Sequence, residues 1–203
     1  MARCLIAAVA AFLMAAATSA GEFNKKLSVG DHAPAWTGLP GTDGQKHALD
    51  DLKDKAVVVV VFTCNSCPVA VGYEDRIIAF ARQHAGPQSP VSVVAVNVNT
   101  VEADRLPQMK ERAKEKGFPF VYLYDESQKI ARDYGATYTP EFFVLDRDRR
   151  VAYMGAMDDA GRSENVKTRH LEAAVEAVLK GEKPAVAETL ARGCQIRYVR
   201  TRR

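Results

Sequence analysis

The sequence predicts an α/β domain with a mixed central sheet flanked by helices. Ala56 to Phe62 is an unbroken, largely β-branched apolar run, the pattern of a strand buried on both faces. Val91 to Val98 repeats that pattern after an intervening helical segment, which makes a right-handed parallel βαβ unit. Glu141 to Asp146 and Val151 to Met154 are two more strands, and the four-residue turn Arg147-Asp148-Arg149-Arg150 between them makes them antiparallel neighbours. With 203 residues and 47% hydrophobic content, the chain can bury one substantial core, so a single domain is expected.

The first twenty residues differ in kind. Arg3 gives a positive start, Leu5 to Ala17 is apolar, and Thr18-Ser19-Ala20 is a small-residue cleavage site, so residues 1–20 are expected to be a secretory signal peptide. The apolar part falls short of the roughly 20 residues a bilayer span requires. The mature protein is therefore expected to be soluble, without stable membrane insertion, and exported to the periplasm or the extracellular space. Cys4 precedes the apolar segment, so lipid attachment at a new N-terminal cysteine does not follow. The remainder divides into a domain over 21–183 and a basic tail over 184–203, where Arg192, Arg197, Arg200, Arg202 and Arg203 read as a solvated face. A net charge of +3 is too small to argue for nucleic acid as a partner.

Taken in order, Gly21 to Leu27 reads as a polar arm, and Val29 to Trp36 begins the domain. Glycine and proline from Pro40 to Gly44 mark turns, so the segment around Trp36 should pair with Lys46 to Leu49 as an N-terminal β-hairpin. Asp50 to Lys53 is expected as one helical turn. After the first long strand, Tyr73, Ile77, Phe80 and Ala81 recur at helical spacing, and Gly86 supplies a stop. Within Glu102 to Lys116, a charged surface helix starts at Pro107 and ends at Gly117. Phe118 to Leu123 returns to the sheet, and Ser127 to Tyr134 is a short helix stopped by Gly135. Leu171, Ala174, Val175, Val178 and Leu179 form a last amphipathic helix before Gly181. Pro184, Ala185 and Ala187 to Ala191 suggest a short extra helix ended by Gly193.

The chemistry centres on Cys64-Asn65-Ser66-Cys67, where the first long strand turns into a helix. Cys64 is expected at the helix N-terminus, where unpaired N–H groups and the helix dipole favour a thiolate. It should then be the more exposed and more acidic thiol. Spacing alone leaves a structural disulfide and a soft Cu(I) site open beside redox chemistry. Structural zinc lacks a second ligand pair. Export leaves three cysteines, Cys64, Cys67 and Cys194, in an oxidising compartment where disulfides persist. Cys194 is expected as a small buried hydrophobe packing the tail, with a third redox cysteine or an intermolecular bridge as the other readings.

Strand, C-x-x-C and helix, followed by Thr139-Pro140 leading into Phe142-Phe143-Val144-Leu145-Asp146, resemble the thioredoxin superfamily in its redoxin branch, which includes alkyl hydroperoxide reductases and thiol-specific antioxidants. Val29-Gly30-Asp31 with Ala33-Pro34, and Leu123-Tyr124-Asp125 with Tyr134-Gly135, extend the resemblance over most of Val29 to Lys180. The resemblance implies a thioredoxin-like fold, a cis bond at Thr139-Pro140 facing the cysteines, and thiol-disulfide oxidoreductase activity needing no external cofactor. In that scheme Cys64 attacks a disulfide of a protein or small molecule and Cys67 resolves the mixed disulfide. Backbone beside Pro140 pairs with an extended substrate segment, and a separate redox protein restores the pair. The alternatives are a peroxiredoxin-like peroxidase and a non-catalytic Cu(I)-binding module. Peroxidases of this fold carry P-x-x-x-T-x-x-C, whereas Val57 and Val61 stand at those places before Cys64, and Val60 and Cys64 before Cys67. Copper-delivery relatives space their cysteines one residue further apart and add a distant histidine. His170 reads instead as a partly exposed helix residue. Thioredoxin keeps a buried acid where Val58 stands, which leaves water or Glu74 to take the Cys67 proton.

Overall fold

The computed structural model describes residues 21–199. The expected signal peptide over 1–20 and the arginines beyond 199 lie outside the described residues. The hairpin pairs β1 (Leu39–Pro40) with β2 (Lys46–His47), and a single helical turn follows at Leu49–Leu52. The main sheet contains β3 (Val57–Phe62), β4 (Val91–Asn97), β5 (Val121–Tyr124), β7 (Glu141–Leu145) and β8 (Val151–Gly155), in the order β5-β4-β3-β7-β8. β4 runs parallel to β3 and β5, while β7 runs antiparallel to β3 and β8. Between β5 and β7 lie α3 (Lys129–Tyr134) and β6 (Tyr138–Thr139).

The central strand explains the layering. All six residues of β3 are buried, and alternate side chains serve opposite faces. Val57, Val59 and Val61 join a cluster with Tyr73, Ile77 and Phe80 of α1 (Pro68–His84), Met109 of α2 (Leu106–Lys116), and Leu171 and Val175 of α4 (His170–Leu179). Val58, Val60 and Phe62 face Trp36, Ile130, Tyr134, Phe143 and Ile196. Helix stops fall at the expected glycines: Gly117 and Gly135 adopt φ of 62° and 67°, a left-handed conformation that glycine takes at no steric cost.

Two terminal segments depart from expectation. The polar arm is tied down, because Asn24 is buried, donates to the Tyr134 carbonyl at 2.8 Å and accepts from the Lys26 and Leu27 amides. Residues 184–193 form no helix. They run instead as a strap along the domain. Glu188 accepts the amides of Glu22, Phe23 and Asn24, and Thr189 donates its amide to the Met154 carbonyl at 3.0 Å. The strap ends in β9 (Cys194–Gln195), antiparallel to β6. It crosses the end of β8 because Gly155, with φ of 134°, has no side chain to obstruct Thr189. Both outer margins of the sheet are partly covered. Gly41 bridges to Leu123 on β5, while Gly30, Asp31, Ala187 and Thr189 hydrogen-bond to β8. Among the described residues no helix is long and apolar enough to cross a membrane.

Candidate active site

Residues 63–67 connect β3 to α1, and one buried acid shapes that connection. Asp104, fully buried, accepts the amides of Asn65 at 2.7 Å and Ser66 at 3.0 Å, and the Ser66 hydroxyl at 2.5 Å. Asn65 also donates its side-chain amide to the Ala103 carbonyl and accepts from the Tyr122 hydroxyl. The sequence reading missed Asp104, because it lies in a charged stretch that resembles a surface helix. Its signal was only a carboxylate just before a helix start.

Helix α1 begins at Pro68, so the residue at the helix cap is Cys67 rather than Cys64. The Cys67 sulfur accepts the Ala70 amide at 3.4 Å. Cys64 is 2% exposed, against the expectation of an exposed, acidic thiol. Burial pushes its thiol above the ordinary range, and the Asp104 charge adds to that, against hydrogen bonds from Thr139, the Cys67 backbone and Ser66. The amides of Asn65 and Ser66 are already committed to Asp104.

The disulfide joins Cys67 to Cys194, with a Cα–Cα distance of 6.0 Å in the ordinary disulfide range. This corrects the expected Cys64–Cys67 pair and the reading of Cys194 as a buried hydrophobe. Cys64 remains a free thiol. Long-range packing supplies the physical reason: β9 lays Cys194 opposite Thr139, beside the start of α1. Gly193 makes the approach possible, since a Cβ there would stand 2.6 Å from the Thr139 carbonyl carbon.

The Thr139–Pro140 bond is cis, and Thr139 touches both sulfurs of the C-x-x-C. Its hydroxyl lies 3.4 Å from Cys64 Sγ and its carbonyl oxygen 3.3 Å from Cys67 Sγ. The strand edge expected to receive a substrate segment is taken by the chain's own Cys194–Gln195. Glu74 is buried but bound to Arg112 through contacts of 2.6 and 2.9 Å, so its carboxylate is already engaged. His170 opens α4 and is partly exposed. Among the described residues, no group of three or more His, Cys, Asp or Glu is placed to hold a metal ion.

Residues 28–170 match the Redoxin family. The chain belongs to the redoxin family. A crystal structure of a hypothetical protein from Sinorhizobium meliloti 1021 superposes on this redoxin with a TM-score of 0.79 at 34% identity, covering 87% of this chain and 97% of that one. The thiol-disulfide oxidoreductase ResA of Bacillus thuringiensis (strain Al Hakam) is 24% identical over 129 residues, 63% of this chain and 69% of ResA. A putative thioredoxin from Neisseria meningitidis shares the fold, with a TM-score of 0.57 at 22% identity over 74% of this chain and 92% of its own. The redoxin is thus thioredoxin-like in architecture, as the resemblance implied.

The Asp104 contact gives an expected result. In the oxidised redoxin, the pH dependence of Cys64 alkylation, followed by peptide mapping, should have its midpoint above that of a free thiol. Asp104→Asn removes the charge, retains a carbonyl acceptor, and should move the midpoint down. An unchanged midpoint would leave burial as the whole cause.

Proposed function

We propose that this redoxin is an exported thiol-disulfide oxidoreductase whose working couple is Cys67–Cys194. One observation carries the reading: the C-x-x-C, Thr139 and cis-Pro140 converge on a disulfide whose second sulfur arrives on a short strand paired with Thr139. Likeness to ResA supports the reaction class. The couple cycles between disulfide and dithiol, exchanging two electrons with a protein or small-molecule thiol, and needs no external cofactor. Thr139 and Pro140 position the sulfurs, and Cys64 is held beside them as a protonated thiol. The leader pattern over 1–20 supports export, and mass spectrometry of the mature chain should find its start near Gly21.

Turnover of insulin disulfides with dithiothreitol tests the reading. Wild type should catalyse it, and Cys67→Ser should remove the activity while leaving the circular dichroism spectrum intact. A redoxin without turnover that retains copper after gel filtration would be a binding module. Turnover of peroxide in place of disulfide would mark a peroxidase.

A further inference from the structure

We infer that Cys194 is the sulfur through which this redoxin exchanges electrons with its partners, and that Cys67 is the internal sulfur that leaves and returns. The inference rests on the oxidoreductase reading of the Cys67–Cys194 couple. Cys64 and Cys67 are 2% and 3% exposed, whereas Cys194 is partly exposed, with exposed Gln195 beside it and exposed Arg192 two residues before it. A thiol arriving from solvent reaches the disulfide at Cys194.

The leaving-group chemistry points the same way. Attack on one sulfur of a disulfide expels the other, and expulsion is faster when the departing thiolate is stabilised. Cys67 caps α1, where its sulfur accepts the Ala70 amide and meets the positive end of the helix dipole. Attack at Cys194 therefore expels the better-stabilised thiolate.

Cys194 also stays in place when the bond opens, because the strap is held by groups other than sulfur. Upstream, the Thr189 hydroxyl accepts the Ala156 amide and contacts the Tyr153 hydroxyl at 2.7 Å. Downstream, the Ile196 amide donates to the Thr137 carbonyl, and Gln128 holds both the Arg197 carbonyl and the Val199 amide. The two sulfurs remain neighbours in the dithiol, so the bond can re-form without refolding. Since β9 fills the β6 edge, the partner does not enter there as an added strand. It presents a free thiol, from a small molecule or a protruding cysteine, at the outer side of Cys194.

In the reducing half-cycle, a partner thiolate attacks Cys194 Sγ. The Cys67–Cys194 bond breaks, a bond from Cys194 to the partner sulfur forms, and Cys67 leaves as thiolate. A second partner thiolate attacks the partner sulfur of that mixed disulfide, releasing partner disulfide and Cys194 thiolate. Two thiols are oxidised, the protein disulfide takes two electrons, and two protons end on Cys67 and Cys194. The oxidising half-cycle reverses these steps.

The test is a rapid quench. Oxidised wild-type redoxin is mixed with excess glutathione, quenched in acid with N-ethylmaleimide, and mapped by mass spectrometry. The early glutathione adduct should lie on Cys194, with maleimide on Cys67. In Cys67→Ser, reduced and then treated with 5,5′-dithiobis(2-nitrobenzoate), the first equivalent of thionitrobenzoate should be retained on Cys194 at least tenfold faster than on Cys64. An early adduct on Cys67 or Cys64 would overturn the inference even where turnover persists. A wild-type protein without turnover, whose disulfide resists native reduction, would instead sink the oxidoreductase reading.

Discussion

Reduction of Cys67–Cys194 should lower the melting temperature of the redoxin by about 8–20 °C. The bridge spans a sequence separation of 127 residues. Closing a loop of that length removes enough unfolded-chain entropy to stabilise the native state by about 4–5 kcal/mol. In a domain of this size, each kcal/mol moves the melting temperature by roughly 2–4 °C. Calorimetry of the oxidised protein against the same protein in a phosphine reductant measures the shift, and Cys194→Ser should reproduce it. A drop of only one or two degrees would mean that the unfolded chain keeps residual structure that already limits its freedom.

Gly155→Ala should cost about 2–4 kcal/mol, measured by urea unfolding, because two independent penalties coincide there. The backbone at Gly155 has φ of 134°, a conformation L side chains rarely adopt. An added Cβ would also stand 2.8 Å from the Thr189 carbonyl carbon, closer than real contacts allow. The strap would have to lift, giving up the bonds of Thr189 to Tyr153 and Ala156. Amide exchange should therefore rise over residues 187–189 while the β3 amides keep their protection. Uniform loss of protection would place the damage in the core instead.

What the sequence disclosed and what it withheld divide along physical lines. The buried strands were legible because an apolar β-branched run has one economical use, and the helices because their apolar period and glycine stops agree. The cis bond at Pro140 followed from the resemblance, not from any local signal. The strap was not legible, because an extended segment that hydrogen-bonds along an edge leaves no period in its side chains. Its alanines suggested a helix instead. The partner of Cys67 was equally hidden, since β9 reaches β6 only after the whole domain has closed. The misreading of Cys64 was one of register: the cap falls three residues later than expected, and those residues carry Cys64 from a helix end into an apolar cluster with Cys67 and Ala70. Asp104 shows the converse error, a polar pattern taken as solvated when its carboxylate accepts from the Asn65 and Ser66 amides, the Ser66 hydroxyl and the Asn97 side-chain amide.

The covering of both sheet margins bears on how the protein behaves in a crowd. A bare outer strand is a template on which other chains can stack, and repeated stacking leads to aggregates. Here the hairpin meets β5 at Leu123, while residues 30–31 and 187–189 occupy hydrogen-bonding positions along β8. The segment that delivers Cys194 to Cys67 is thus also a guard rail. Growth of this sheet from one molecule to the next is blocked at β8 as long as the strap lies in its track, whatever the redox state of the sulfur at its end.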